Sequence, residues 1–125
     1  MNTFSLFIDG NMSDCIDFVS VLKNKNSLYY QPHIYDLEVV YYEDNVQIRG
    51  KSDVGAYDTF FGIKDNAYIK GNKHIYTLDK LSEIFNLYIA LNFQENGFVD
   101  VWTYNCGKPL VVENKNLMRK ENYYV

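Results

Sequence analysis

Residues 36–53 read DLEVVYYEDNVQIRGKSD, and the fold class turns on this stretch. Leu37, Val39 and Tyr41 alternate with Glu38, Val40 and Tyr42, the period of two expected of a strand with one covered face. Val46 to Lys51 resume an extended pattern after a turn near Asp44-Asn45. Asp and Asn tolerate the backbone of a tight turn, and strands joined this closely run antiparallel.

Toward the N-terminus, TFSLFID at residues 3–9 predicts a strand with Phe4, Leu6 and Ile8 on one face and Phe7 on the other. The intervening SDCIDFVSVLKNKN, residues 13–26, predicts a helix. Its Cys15, Phe18, Val19 and Leu22 fall at i, i+3, i+4 and i+7, a single apolar stripe. Asn11 or Ser13 can cap it, Asp14 and Asp17 lie in its first turn, and Lys23 and Lys25 in its last, the charge order that suits the helix dipole. LYYQPHIY, residues 28–35, is a connection interrupted by Pro32.

Toward the C-terminus, TFFGI at 59–63 predicts a short strand, and AYIKGNKHIYT at 67–77 a second hairpin around Gly71-Asn72. LDKLSEIFNLYIALNFQEN, residues 78–96, has two readings. The helical spacing of Leu78, Leu81, Phe85 and Tyr88 favours one helix over about residues 78–93, capped by Thr77 and stopped by Gly97. In the other, the helix ends near Asn86, LYIALNF is a strand, and Asn96-Gly97 turns it into FVDVWTY. Either way FVDVWTYN and PLVVEN are strands joined by Cys106-Gly107-Lys108-Pro109, and about the last ten residues are expected to fray. The expectation is a single α+β domain over residues 1–125. Its mainly antiparallel sheet of about 5–7 strands carries two helices, near 13–26 and 78–93.

With 12 Tyr, 8 Phe and one Trp, 17% of the chain is aromatic, which supplies a dense core and argues against disorder. The net charge of −4 disfavours sequence-independent nucleic-acid binding and attachment to anionic membranes, both of which rest on Lys/Arg surfaces. No signal-peptide pattern opens the chain and no apolar run reaches membrane-span length, so a cytoplasmic setting with two free thiols is expected.

Each chemical motif fails at a named position. Arg49-Gly50-Lys51-Ser52 matches the end of a phosphate-binding loop, but Asn45 replaces its first glycine and a strand precedes it. Asp9-Gly10-Asn11-Met12-Ser13-Asp14 places oxygens like a calcium loop, yet Asp14 stands where glycine and Ser20 where glutamate is required. Cys15 lies on an apolar stripe and reads as a core thiol, while Cys106 lies at a predicted turn and reads as exposed. His33 and His74 complete no zinc spacing, and no Gly-x-Ser-x-Gly elbow occurs. No catalytic residue, cofactor or metal is therefore expected, although carboxylates paired only in space leave acid–base chemistry open.

What is left over is tyrosine, in excess of what a small core encloses, with Tyr41, Tyr42 and Tyr57 lying in the acidic stretch from Asp36 to Asp65. Tyrosine is enriched at interfaces because one ring supplies apolar area and a hydrogen bond. The leading expectation is a small acidic binding protein acting by stoichiometric occlusion of a protein partner with a basic surface. Toxin-immunity and phage anti-defence inhibitors work in this way. Asp36, Glu38, Tyr41, Tyr42, Glu43, Asp44, Tyr57 and Asp58 form its expected face. The alternatives are a small-ligand binder or enzyme with an aromatic-lined pocket, and a structural subunit, for which a homo-oligomer is allowed.

Overall fold

A computed structural model describes residues 2–27, 31–61 and 77–109. The chain forms β1 (Asn2–Asp9), α1 (Met12–Lys23), β2 (Ile34–Tyr41), β3 (Val46–Ser52), a π-helical turn (Tyr57–Phe61), α2 (Leu78–Ile84), β4 (Tyr88–Glu95), β5 (Phe98–Asn105) and β6 (Lys108–Pro109). The strands make one sheet in the order β2-β3-β1-β4-β5-β6, and every pairing is antiparallel. This is the α+β class expected from the hairpin.

One face of the sheet is apolar. Phe4, Leu6 and Ile8 of β1 sit in register with Gly50, Ile48 and Val46 of β3 and with Phe93, Leu91 and Ile89 of β4. Against them pack Cys15, Phe18, Val19 and Leu22 of α1 and Leu78 and Leu81 of α2, in one buried cluster. The rings of Phe18 and Phe85 meet edge to face at 5.7 Å, joining α1 to the end of α2. Aromatic rings fill much of this layer: Phe4, Phe60 and Phe93 contact one another, and Phe61 lies 5.3 Å from Trp102. The opposite face carries Thr3, Ser5, Phe7, Gln47, Arg49, Lys51, Ala90, Asn92 and Gln94, and no helix among the described residues covers it.

The expected helix over 78–93 is corrected: α2 stops at Ile84 and residues 88–95 are strand. Asn86 adopts φ 55°. Its N–H donates to the Glu83 carbonyl at 3.2 Å and the Leu87 N–H to the Ser82 carbonyl at 3.0 Å. That pair of bonds around a left-handed residue is a Schellman cap, which closes a helix. Beyond it Ile89, Leu91 and Phe93 are buried and their neighbours are not, a period of two. Asn96 (φ 53°) and Gly97 (φ 80°) then make the hairpin turn into β5.

The expected strand at 59–63 is also corrected where it is described, since Thr59–Phe61 belong to the π-helical turn. The buried Ala56, Thr59 and Phe60 have helical spacing, but the run is too short to announce a helix. The Thr59 hydroxyl lies 2.6 Å from both the Gly55 carbonyl and the Ser52 hydroxyl, tying the turn to the end of β3. The hairpin expected at 67–77 lies outside the described residues, as does PLVVEN beyond Pro109.

Candidate protein-binding edge

Among the described residues β2 is the edge strand of the sheet, and its shape is unusual. Ile34 is buried and Val39 half-buried toward the same core, although five positions separate them. An odd separation on a regular strand would put them on opposite faces. A bulge between Tyr35 and Glu38 resolves the conflict: Asp36 and Leu37 together oppose Gly50. Asp36 takes φ 53°, a conformation Asp accepts better than most residues. Leu37 folds back over Gly50, where an added Cβ would lie 2.9 Å from its Cδ2 and 2.6 Å from Cζ of Phe4. The missing side chain at Gly50 is thus the space that Phe4 and Leu37 fill.

Beyond the bulge the ladder is regular, Glu38 to Tyr41 facing Arg49 to Val46. The turn is closed by the Tyr42 N–H donating to the Asn45 carbonyl at 2.8 Å. Tyr35, Val40, Tyr41 and Tyr42 are 41%, 49%, 52% and 50% exposed. They are four of the seven large apolar side chains that are this open among the described residues, and all belong to this strand or its turn. Around them stand Asp36, Glu38, Glu43 and Asp44, each exposed. Lys51 Nζ lies 3.5 Å from Asp36 Oδ2, and Arg49 is opposite Glu38. Glu43 and Asp44 form no ion pair among the described residues.

The structure therefore gathers six of the eight expected site residues on the β2–β3 hairpin. Asp36 and Glu38 face the open side, while Tyr41, Tyr42, Glu43 and Asp44 form the tip. Tyr57 and Asp58 lie elsewhere. Tyr57 packs edge to face on Trp102 of β5 at 6.0 Å, although its turn is tied through Thr59 to the end of β3. Four strand spacings, about 19 Å at ~4.8 Å each, separate β2 from β5. Asp58 is only half exposed, and its Oδ1 is buried without a hydrogen-bond partner.

Next to the bulge lies a groove of ≈ 780 Å³ on the open face, lined by Thr3, Ser5, Asp36, Glu38, Arg49, Lys51, Asn92 and Gln94 with Leu37 and Val99 among others. Among the described residues Phe4 is its one aromatic lining residue. Thr3, Ser5, Arg49 and Lys51 were visible as the polar alternates of predicted strands. Asn92 and Gln94 were hidden by the helical reading of their segment.

The two cysteines are unpaired, Cys15 buried and Cys106 exposed. Burial, then the carboxylates of Asp9 and Asp14, push the Cys15 thiol upward and hold it as neutral SH. Among the described residues no three His, Cys, Asp or Glu side chains gather as a metal site, and no helix is long and apolar enough to cross a membrane. Compared with protein-family models, curated proteins and solved structures, the chain finds no match in any of the three.

Proposed function

We propose that this chain is a small acidic binding protein that occludes a protein partner stoichiometrically through the β2–β3 hairpin. The observation that carries the reading is the clustering of Tyr35, Val40, Tyr41 and Tyr42 on one edge strand within an acidic rim. Isolated exposed apolar residues are ordinary, whereas grouped ones beside an open backbone edge are exposed at a cost in solubility. Tyrosines grouped this way supply rigid, amphipathic contact area, and the rim selects a basic surface. A toxin-immunity or anti-defence inhibitor is the class this chemistry suits, in a cytoplasmic setting.

Affinity capture from the source cells, read by quantitative mass spectrometry, tests the reading. Wild-type chain should retain one macromolecule at near-stoichiometric amounts, and the Tyr41→Ser/Tyr42→Ser double variant should lose it. A partner held equally by both forms, or none at all, counts against the hairpin.

A second reading draws on the groove. Its hydroxyl, amide and charged groups suit a small polar ligand, where the alternative expectation was an aromatic-lined pocket. Arg49→Ala separates the two, since it should abolish ligand binding while the capture experiment is largely unchanged.

A further inference from the structure

We propose that the hairpin takes its partner by strand addition, accepting an extended basic segment along the outer edge of β2; this rests on the binding reading above. The hydrogen-bond phase of the ladder decides which backbone groups are on offer. Tyr42 bonds inward to Asn45, and the register runs Tyr41–Val46, Val40–Gln47, Val39–Ile48 and Glu38–Arg49. Inward and outward residues alternate in an antiparallel pair. Tyr42, Val40 and Glu38 therefore bond to β3, while Val39 and Tyr41 aim their N–H and C=O groups away from it. Among the described residues no strand lies beyond β2.

The window has defined ends. The bulge at Asp36-Leu37 breaks the edge on one side and the turn at Glu43-Asp44 on the other, so the docked segment is about five residues long. Charge selects its chemistry. Glu38 lies within the window and Glu43 and Asp44 at its end, the last two with no ion pair among the described residues. A second copy would bring this acidic rim against its own image, which is unfavourable. A segment alternating Lys or Arg with apolar residues would instead set its cations against Glu38 and the tip. Its apolar side chains would meet Val39 and Tyr41.

The test uses the full chain and two peptides, Lys-Val-Lys-Val-Lys and Glu-Val-Glu-Val-Glu, followed by amide hydrogen exchange. In the free chain the Val39 and Tyr41 amides should exchange fast and those of Glu38 and Val40 slowly. The basic peptide should protect Val39 and Tyr41, and the acidic one should not. Val39→Pro removes one outward donor and no ladder bond, and proline is accepted on such edges. It should weaken peptide binding about tenfold while Val40 stays protected.

Failure to bind the basic peptide, or binding without protection of Val39 and Tyr41, overturns the proposal. So does protection that rises with the chain's own concentration, which would identify a second copy. If partner capture survives Val39→Pro but is lost in Tyr41→Ser/Tyr42→Ser, strand addition fails and the hairpin reading stands. If capture survives both variants, both fail.

Discussion

Gly50 is where the β2–β3 hairpin and the core compete for the same volume. An alanine there would gain about 0.5–1 kcal/mol in strand preference, but its Cβ would press on the Phe4 ring at 2.6 Å and on Leu37 at 2.9 Å. Overpacking of this kind costs about 1–3 kcal/mol, so it wins. Gly50→Ala should therefore lower the urea midpoint, and an unchanged midpoint would show that Leu37 moves aside freely. Tyr104 gives a pH signature. Burial, then Asp79, then Tyr57 push its hydroxyl up to about 12 from an ordinary value of 10.0. The unfolded chain thus loses this proton first, and stability contributed by the neutral phenol is present below pH 10 and lost as pH rises toward 12. Tyr104→Phe should flatten the alkaline limb of the stability–pH curve between those values. The thiols differ in the same spirit. A disulfide reagent should label Cys106 at once, and Cys15, buried in α1, only when the chain unfolds. Rapid labelling of both would mean that α1 opens readily.

Among the elements, the junction of α2 and β4 depends on one residue. Asn86 sits at φ 55° with the Schellman bonds on either side. Ser82 locks the junction: its buried hydroxyl donates to the Leu87 carbonyl at 2.7 Å and accepts from the Gly107 N–H at 2.9 Å. A β-branched residue in this conformation is strained by about 1–2 kcal/mol, whereas glycine is at ease. Thermal unfolding should show Asn86→Val clearly destabilised and Asn86→Gly close to wild type. Equal melting of the two would remove the cap as the reason α2 ends. This junction also shows what the sequence leaves undecided. Leu81, Phe85 and Tyr88 keep a helical spacing while Ile89, Leu91 and Phe93 keep a strand spacing, and the two overlap for several residues. Only the left-handed Asn86, followed by a buried Leu87, separates them, and Asn is less conspicuous there than Gly. By contrast, the hairpin at 36–53 was legible because alternation and turn chemistry agree. Its bulge was legible only in part, from the odd spacing of Ile34 and Val39.

At the scale of the molecule, the two sheet faces and the edge divide the aromatic side chains of the described residues among them. The helix-covered face takes Phe4, Phe18, Phe60, Phe61, Phe85, Phe93, Trp102 and the half-buried Tyr104, Phe7 meets Tyr88 on the other face, and Tyr35, Tyr41 and Tyr42 remain along β2. A surplus of tyrosine predicts an interface somewhere, and among the described residues the topology puts β2 at the end of the sheet. Composition alone put Tyr57 and Asp58 on the same face, because proximity in sequence hides the strands that intervene in space. Occlusion of a partner as proposed requires the hairpin to be the contact surface. Placing a photo-crosslinking benzoylphenylalanine at Tyr41, at Tyr42 and, for comparison, at Tyr57 and the exposed Ile84, then irradiating in the source cells, reads that surface directly. One shared heavier species should form from positions 41 and 42 and not from 57 or 84. A species formed only from 57 or 84, or from none of the four, would contradict it.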